Sequence, residues 1–158
     1  MRAKRLLFGL VFLLLPACGG DSGTGPAPAP TFENIAGTYG GVAVGLSEGV
    51  AMEAVFSLTI AQSSGNLSGS WSLAGTLNDG VTVADIIGSG PLSGSIASGQ
   101  NPSVNLTVTN PLCPNYQGTF SGTFDSTNNV ITLNGPIDIL DANCAVFLSY
   151  PSVIILTR

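Results

Sequence analysis

Histidine is absent from this chain of 158 residues. That removes the usual general base near neutral pH and the commonest metal ligand. No Ser-His-Asp or Cys-His catalytic arrangement can be assembled. Basic residues are nearly as scarce, four against nine acids. Three of the four, Arg2, Lys4 and Arg5, crowd the first five positions, and Arg158 is the other. The acids are Asp21, Glu33, Glu48, Glu53, Asp79, Asp85, Asp125, Asp138 and Asp141. A chain so poor in cations past its first residues is unsuited to nucleic acid, to polybasic attraction toward anionic lipid and to holding a phosphate. No Gly-x-Gly-x-x-Gly motif opens a helix, and no cofactor is expected.

Long apolar runs are lacking too. The longest, Leu6 to Leu15, is broken only by Gly9. It is too short for a spanning helix, which needs about 20 apolar residues. A basic start, a short apolar run and small residues after it have the form of a secretory signal. The run ends in Leu15-Pro16-Ala17-Cys18, followed by Gly19-Gly20. Leu15-Pro16-Ala17-Cys18 resembles the lipobox of bacterial lipoproteins. The resemblance implies a diacylglycerol on the Cys18 thiol, cleavage before Cys18 and acylation, such as palmitoylation, of the new amino group. Gly19 in place of an aspartate resembles lipoproteins forwarded to the outer membrane of two-membrane bacteria. Membrane physics agrees: one acyl chain binds marginally, whereas two or three anchor stably. The alternative is an ordinary signal peptide with a chance cysteine. The expected division is a signal peptide over 1–17, a lipidated cysteine and Gly/Pro-rich tether over 18–36, and a β domain over 37–158.

Three cysteines are present. With Cys18 lipidated, Cys113 and Cys144 remain as an even pair. An oxidising compartment such as the periplasm favours a disulfide between them, and the alternative is two free thiols or a soft metal pair. Gly19 to Thr31 alternates from glycine-rich to Pro-Ala, which makes a flexible and then extended spacer.

From Gly37 onward the apolar pattern has period two. Phe56, Leu58 and Ile60 share one face, as do Leu67, Trp71 and Leu73, then Leu92 and Ile96, then Val104, Leu106 and Val108. Tyr116, Phe120 and Phe124 follow, then Ile131 and Leu133. Turns are expected at Ser63–Asn66, Asn78–Gly80, Gly99–Pro102, Asn110–Asn115 and Asp125–Asn129, with a connection or single helical turn at Asp138–Asn143. Val81–Gly88 and Leu92–Ala97 read as separate strands, and Phe147–Thr157 as one or two. Gly65-Asn66-Leu67-Ser68-Gly69-Ser70 recurs as Gly90-Pro91-Leu92-Ser93-Gly94-Ser95, and again near Gly118. A spacing near 25 suggests one hairpin per repeat. The fold class is all-β, an antiparallel up-and-down barrel of about eight strands, with a β-sandwich as the alternative. Gly37-Thr38-Tyr39 and Leu67-Ser68-Gly69-Ser70 resemble small avidin-like or lipocalin-like barrels, which implies the fold alone, because Trp71 is the only tryptophan.

Few residues offer chemistry. The acid pairs Glu48/Glu53 and Asp138/Asp141 fall in expected loops and are the only basis for a carboxylate hydrolase. Asp138, Asp141 and Asn143 could form a weak calcium site, although they lack the ordered ligand series of an EF-hand. Tyr39, Trp71, Tyr116, Phe120 and Phe124 are either core packing or the lining of a barrel mouth. The expected protein is a non-catalytic, lipid-anchored envelope module for a small apolar ligand or an envelope protein partner. A purely structural lipoprotein is the alternative.

Overall fold

The computed structural model describes residues 27–158, so the amino-terminal stretch, Cys18 and the tether up to Pro26 lie outside the described residues. Eight strands follow in chain order: β1 (Gly37–Ser47), β2 (Val50–Ser63), β3 (Asn66–Asn78), β4 (Val83–Ile96), β5 (Ser103–Asn110), β6 (Cys113–Asp125), β7 (Val130–Leu140) and β8 (Val146–Thr157). Each pairs antiparallel with the next, and β8 returns to β1. The chain is a closed up-and-down barrel, and the sandwich alternative falls away.

The alternation read from the sequence is the alternation of burial. Met52, Ala54, Phe56, Leu58 and Ile60 of β2 are buried while the residues between them face out. The same holds for Val104, Leu106 and Val108 of β5; β8, whose register the sequence leaves open, alternates too, with Leu148, Tyr150, Ser152, Ile154 and Leu156 buried. Outside, β3 presents Ser68, Ser70 and Ser72, and β5 presents Asn105. This apolar-in arrangement is the inverse of the polar-in strands that span membranes.

Glycines fit large residues across the strands. Leu67 faces Gly94 and Gly69 faces Leu92. Gly94 also faces Leu106, and Gly122 faces both Val104 and Leu133. In a barrel of eight strands the interior is narrow, and where side chains fill it, small and large ones alternate to fit. This corrects the reading of the repeat. The Leu67 and Leu92 copies are antiparallel partners in adjacent strands, not the starts of successive hairpins. An alternating pattern looks the same in either chain direction, so the sequence could not tell them apart.

Other expectations change as well. Val83 to Ile96 is one strand, not two. Val146 to Thr157 is one strand that runs straight through Pro151. Glu53 and Asp138 lie in β2 and β7, not in loops. At the β1–β2 turn, Glu48 and Gly49 both have positive φ, 50° and 83°, the geometry of a two-residue hairpin turn that suits glycine.

The two ends of the barrel differ. One end is sealed by residues 31–36, part of the stretch grouped with the tether on composition. Ile35 is fully buried there. Its N–H donates to Gln62 Oε1 at 2.8 Å, and Gln62 Nε2 donates to Glu33 O at 2.9 Å. The Tyr39 hydroxyl donates to Ile35 O at 2.9 Å, and the Phe32 ring lies against Gly65. Backbone and side chain thus replace water for a segment that crosses the core, as burial of polar groups requires.

At the other end the ladders stop early. The β4–β5 ladder ends at Leu92↔Val108, next to Pro91. The β6–β7 ladder ends at Ser121↔Asn134, two residues before Pro136. Pro136 faces Pro151 within a continuous β7–β8 ladder. Two prolines have no N–H to exchange, so this must be a non-hydrogen-bonded pair, with the empty donor positions facing β6 and β1. On the β1 side the ladder with β8 is reduced to Gly40↔Thr157. The prolines therefore mark where the wall opens.

Candidate functional site

The parting between β6 and β7 leads into a cavity of about 330 Å³ at the open end. Its inner wall is Phe56, Trp71, Leu73, Val108, Phe120 and Ile137. Phe56 holds the aromatic wall together. Its ring stacks on Trp71 with centroids 6.2 Å apart and tilts against Phe120 at 5.9 Å. Trp71 reaches across Gly90 to β5, where Nε1 donates to Thr109 O at 2.9 Å. That carbonyl lies just past the last β4–β5 pair, so the indole supplies the donor that a longer ladder would have provided. Gly88 leaves room for the outer edge of the indole, since a Cβ there would lie 2.9 Å from it.

The outer wall carries the polar groups. Tyr116 of β6 donates its hydroxyl across the parting to Asp138 Oδ2 at 2.6 Å. Ser149, the β8 partner of Asp138, donates to Oδ1 at 2.5 Å. Burial and the neighbouring Asp138 carboxylate push the Tyr116 phenol far above its ordinary value, so it stays a protonated donor. Asp85 and Asn110 complete the rim.

A second link lies beside the first. Cys113, at the start of β6, is bonded to Cys144 in the β7–β8 loop, with Cα atoms 5.4 Å apart. The disulfide expected from the even cysteine pair is present, and it bridges the two elements whose ladder has stopped. Asp141 shapes the loop that presents Cys144. Its Oδ1 accepts from Asn143 N at 2.8 Å and from Ala145 N at 2.9 Å, and these hydrogen bonds hold its carboxyl below the ordinary range.

Of the five candidate ligand residues, Trp71, Tyr116 and Phe120 line this cavity. Tyr39 and Phe124 do not. Tyr39 is buried under the sealing segment, and Phe124 is buried on β6 near the β6–β7 turn. Sequence reasoning missed Asp138, Asp85 and Phe56 as part of the site. Asp138 was read as a loop residue, and only the position of Pro136 in the strand could have hinted at an opening beside it. Among the described residues no group of three or more His, Cys, Asp or Glu side chains could hold a metal ion. Asp138, Asp141 and Asn143 do not converge on a calcium site; the Asp138 oxygens accept from Tyr116 and Ser149, and Asp141 Oδ1 accepts from the backbone N–H of Asn143 in the local turn. Cys18 lies outside the described residues.

Comparisons with family models, with curated proteins and with solved structures each found no match.

Proposed function

We propose that this chain is a non-catalytic binding module of the bacterial cell envelope, anchored by lipid at Cys18, that carries a small apolar ligand in its open end. One observation carries the reading: a barrel sealed at one end holds an aromatic-walled cavity of about 330 Å³ at the other. That volume falls at the small end of the range typical of ligand pockets. Taking about 30 Å³ per water-sized unit, it holds a body of roughly ten heavy atoms. The anchor fits the same geometry. The chain enters the barrel at the sealed end, so a membrane attached through Cys18 would lie on that side and the cavity would open away from it.

The test is titration of the full chain carrying Cys18→Ala with the uncharged fluorescent probe 1-naphthol, whose size of about eleven heavy atoms matches the cavity. Saturable one-to-one enhancement is expected, with loss in Gly118→Leu, where a side chain enters the cavity wall. A linear, unsaturable signal sinks the ligand reading. The anchor is tested separately: Cys18→Ala should abolish lipid labelling and membrane retention, and unchanged fractionation would overturn it.

A protein-partner reading has its own observation. Val42, Val44 and Leu46 of β1, Val55 of β2, and Val153 and Ile155 of β8 are all more than half exposed. They lie on adjacent strands of the outer wall, an apolar patch of the kind that marks interaction surfaces. A concentration-dependent mass in light scattering that Val44→Ser removes would favour it.

A further inference from the structure

We propose that the open-end cavity selects a cationic amphiphile: a protonated amine or quaternary ammonium head between Asp85 and Asp138, and an apolar body on Phe56, Trp71 and Phe120. The inference rests on the ligand-binding reading above and names its class of ligand.

The charge layout of the whole barrel points this way. Of the eight acids among residues 27–158, six belong to the half with the open end: Glu48, Glu53, Asp79, Asp85, Asp138 and Asp141. The single base of these residues, Arg158, is at the far end, against Gly37 and Tyr39. A one-signed mouth with low-dielectric walls concentrates ions of the opposite sign and repels its own. The cavity lining itself contains two carboxylates and no cation.

Hydrogen bonding adds a second argument. The hydroxyl donors beside Asp138 and the indole donor of the wall are already committed. The Tyr116 and Ser149 hydroxyls go to Asp138, and the Trp71 N–H goes to Thr109. Asp138 still offers acceptor capacity to a ligand head, because each of its oxygens retains a lone pair. An ammonium brings donors to those lone pairs. A carboxylate head would leave water for a wall of acceptors, and an uncompensated buried charge is costly. The aromatic faces favour the same sign, since the π-face of Trp or Phe attracts cations. Trp71 is well placed for this because its N–H is tied off at the edge and its ring lines the cavity.

The experiment compares three probes of one chain length, octylammonium, octan-1-ol and octanoate, against the full chain carrying Cys18→Ala. Emission of the sole tryptophan, Trp71, reports occupancy, and calorimetry gives affinity. Near neutral pH, octylammonium should bind about tenfold tighter than octanoate, with octanol between them. Raising the salt to about 0.5 M should narrow the gap. Asp85→Asn leaves the Tyr116–Asp138 hydrogen bond in place and should cut the preference roughly threefold. Adding Asp138→Asn, which keeps an acceptor for Tyr116, should nearly abolish it. Octanoate binding as well as octylammonium overturns the inference, and so does a preference unchanged in both variants. Binding of octanol without charge preference removes this inference alone. If none of the three probes binds, the ligand reading falls with it.

Discussion

Removing the Cys113–Cys144 bond gives the sharpest test of how the open end is held. The bond closes a loop across a sequence separation of 31 residues, spanning all of β6 and β7. In the chain-entropy account, freeing a loop of that length in the unfolded state costs about 3–4 kcal/mol of stability. The folded side should lose little, because Cys113 pairs with Asn110 of β5 and the loop that carries Cys144 is held by the hydrogen bonds of Asp141. A domain of this size should be stable by roughly 5–15 kcal/mol, so the double variant Cys113→Ser, Cys144→Ser should still fold. Its melting temperature should fall by about 10–15 °C. The assay is thermal and urea unfolding followed by far-UV circular dichroism. The urea m-value should rise, because a chain without the cross-link exposes more surface when unfolded. A drop under about 3 °C with an unchanged m-value would refute the reasoning, by showing that the unfolded chain was not restrained by the bond.

Three further predictions follow from single features of the fold. All three tyrosines, Tyr39, Tyr116 and Tyr150, have phenols pushed above their ordinary value, chiefly by burial. A folded-state pKa above the unfolded one contributes stability that is complete below about pH 10 and lost as pH climbs past it. Tyrosinate absorbance should therefore appear only together with loss of the β spectrum; normal titration near pH 10 in an intact barrel would contradict this. Ile35→Ala should cost about 2–5 kcal/mol by urea unfolding, since Ile35 is fully buried under the sealed end; a cost below about 1 kcal/mol would mean the segment is not part of the core. Gly45→Val should cost about 1–3 kcal/mol, because a Cβ there would lie 2.9 Å from the Tyr150 ring, and wild-type stability would show that the ring can yield.

The fold was legible where it follows from one strand at a time. Period two names the inward face of β2, β5 and β6 without reference to neighbours, because side-chain direction is a local property of an extended chain. Closure was legible at one remove, from core-side glycines and from strands too numerous to leave edges exposed. The disulfide came from counting: of three cysteines, the lipobox resemblance assigns Cys18 to lipid and leaves Cys113 and Cys144 as a pair. What stayed hidden depends on register between strands. Asp138 and Tyr116 are 22 residues apart and meet only because the β6–β7 ladder stops at Asn134. Nothing within either strand announces that contact.

The same reasoning explains why the aromatic candidates split as they did. Tyr39, Trp71, Tyr116, Phe120 and Phe124 all occupy inward positions, so alternation alone treats them as equals. Height along the barrel separates them. Tyr39 lies at the start of β1 and Phe124 at the end of β6, both at the sealed end, where residues 31–36 fill the space a ligand would need. Trp71, Phe120 and Tyr116 lie toward the end where Pro91 and Pro136 cut the ladders short. In a meander, alternate strands run in opposite directions, so the sealed end collects strand starts and strand ends in turn. Position within a strand therefore has to be read together with strand parity. On that reading an inward aromatic near a proline that interrupts a ladder belongs to the opening, and one near the chain's entry to the barrel belongs to the core. The prolines, more than the aromatics, are the residues that determine where the wall of this barrel opens.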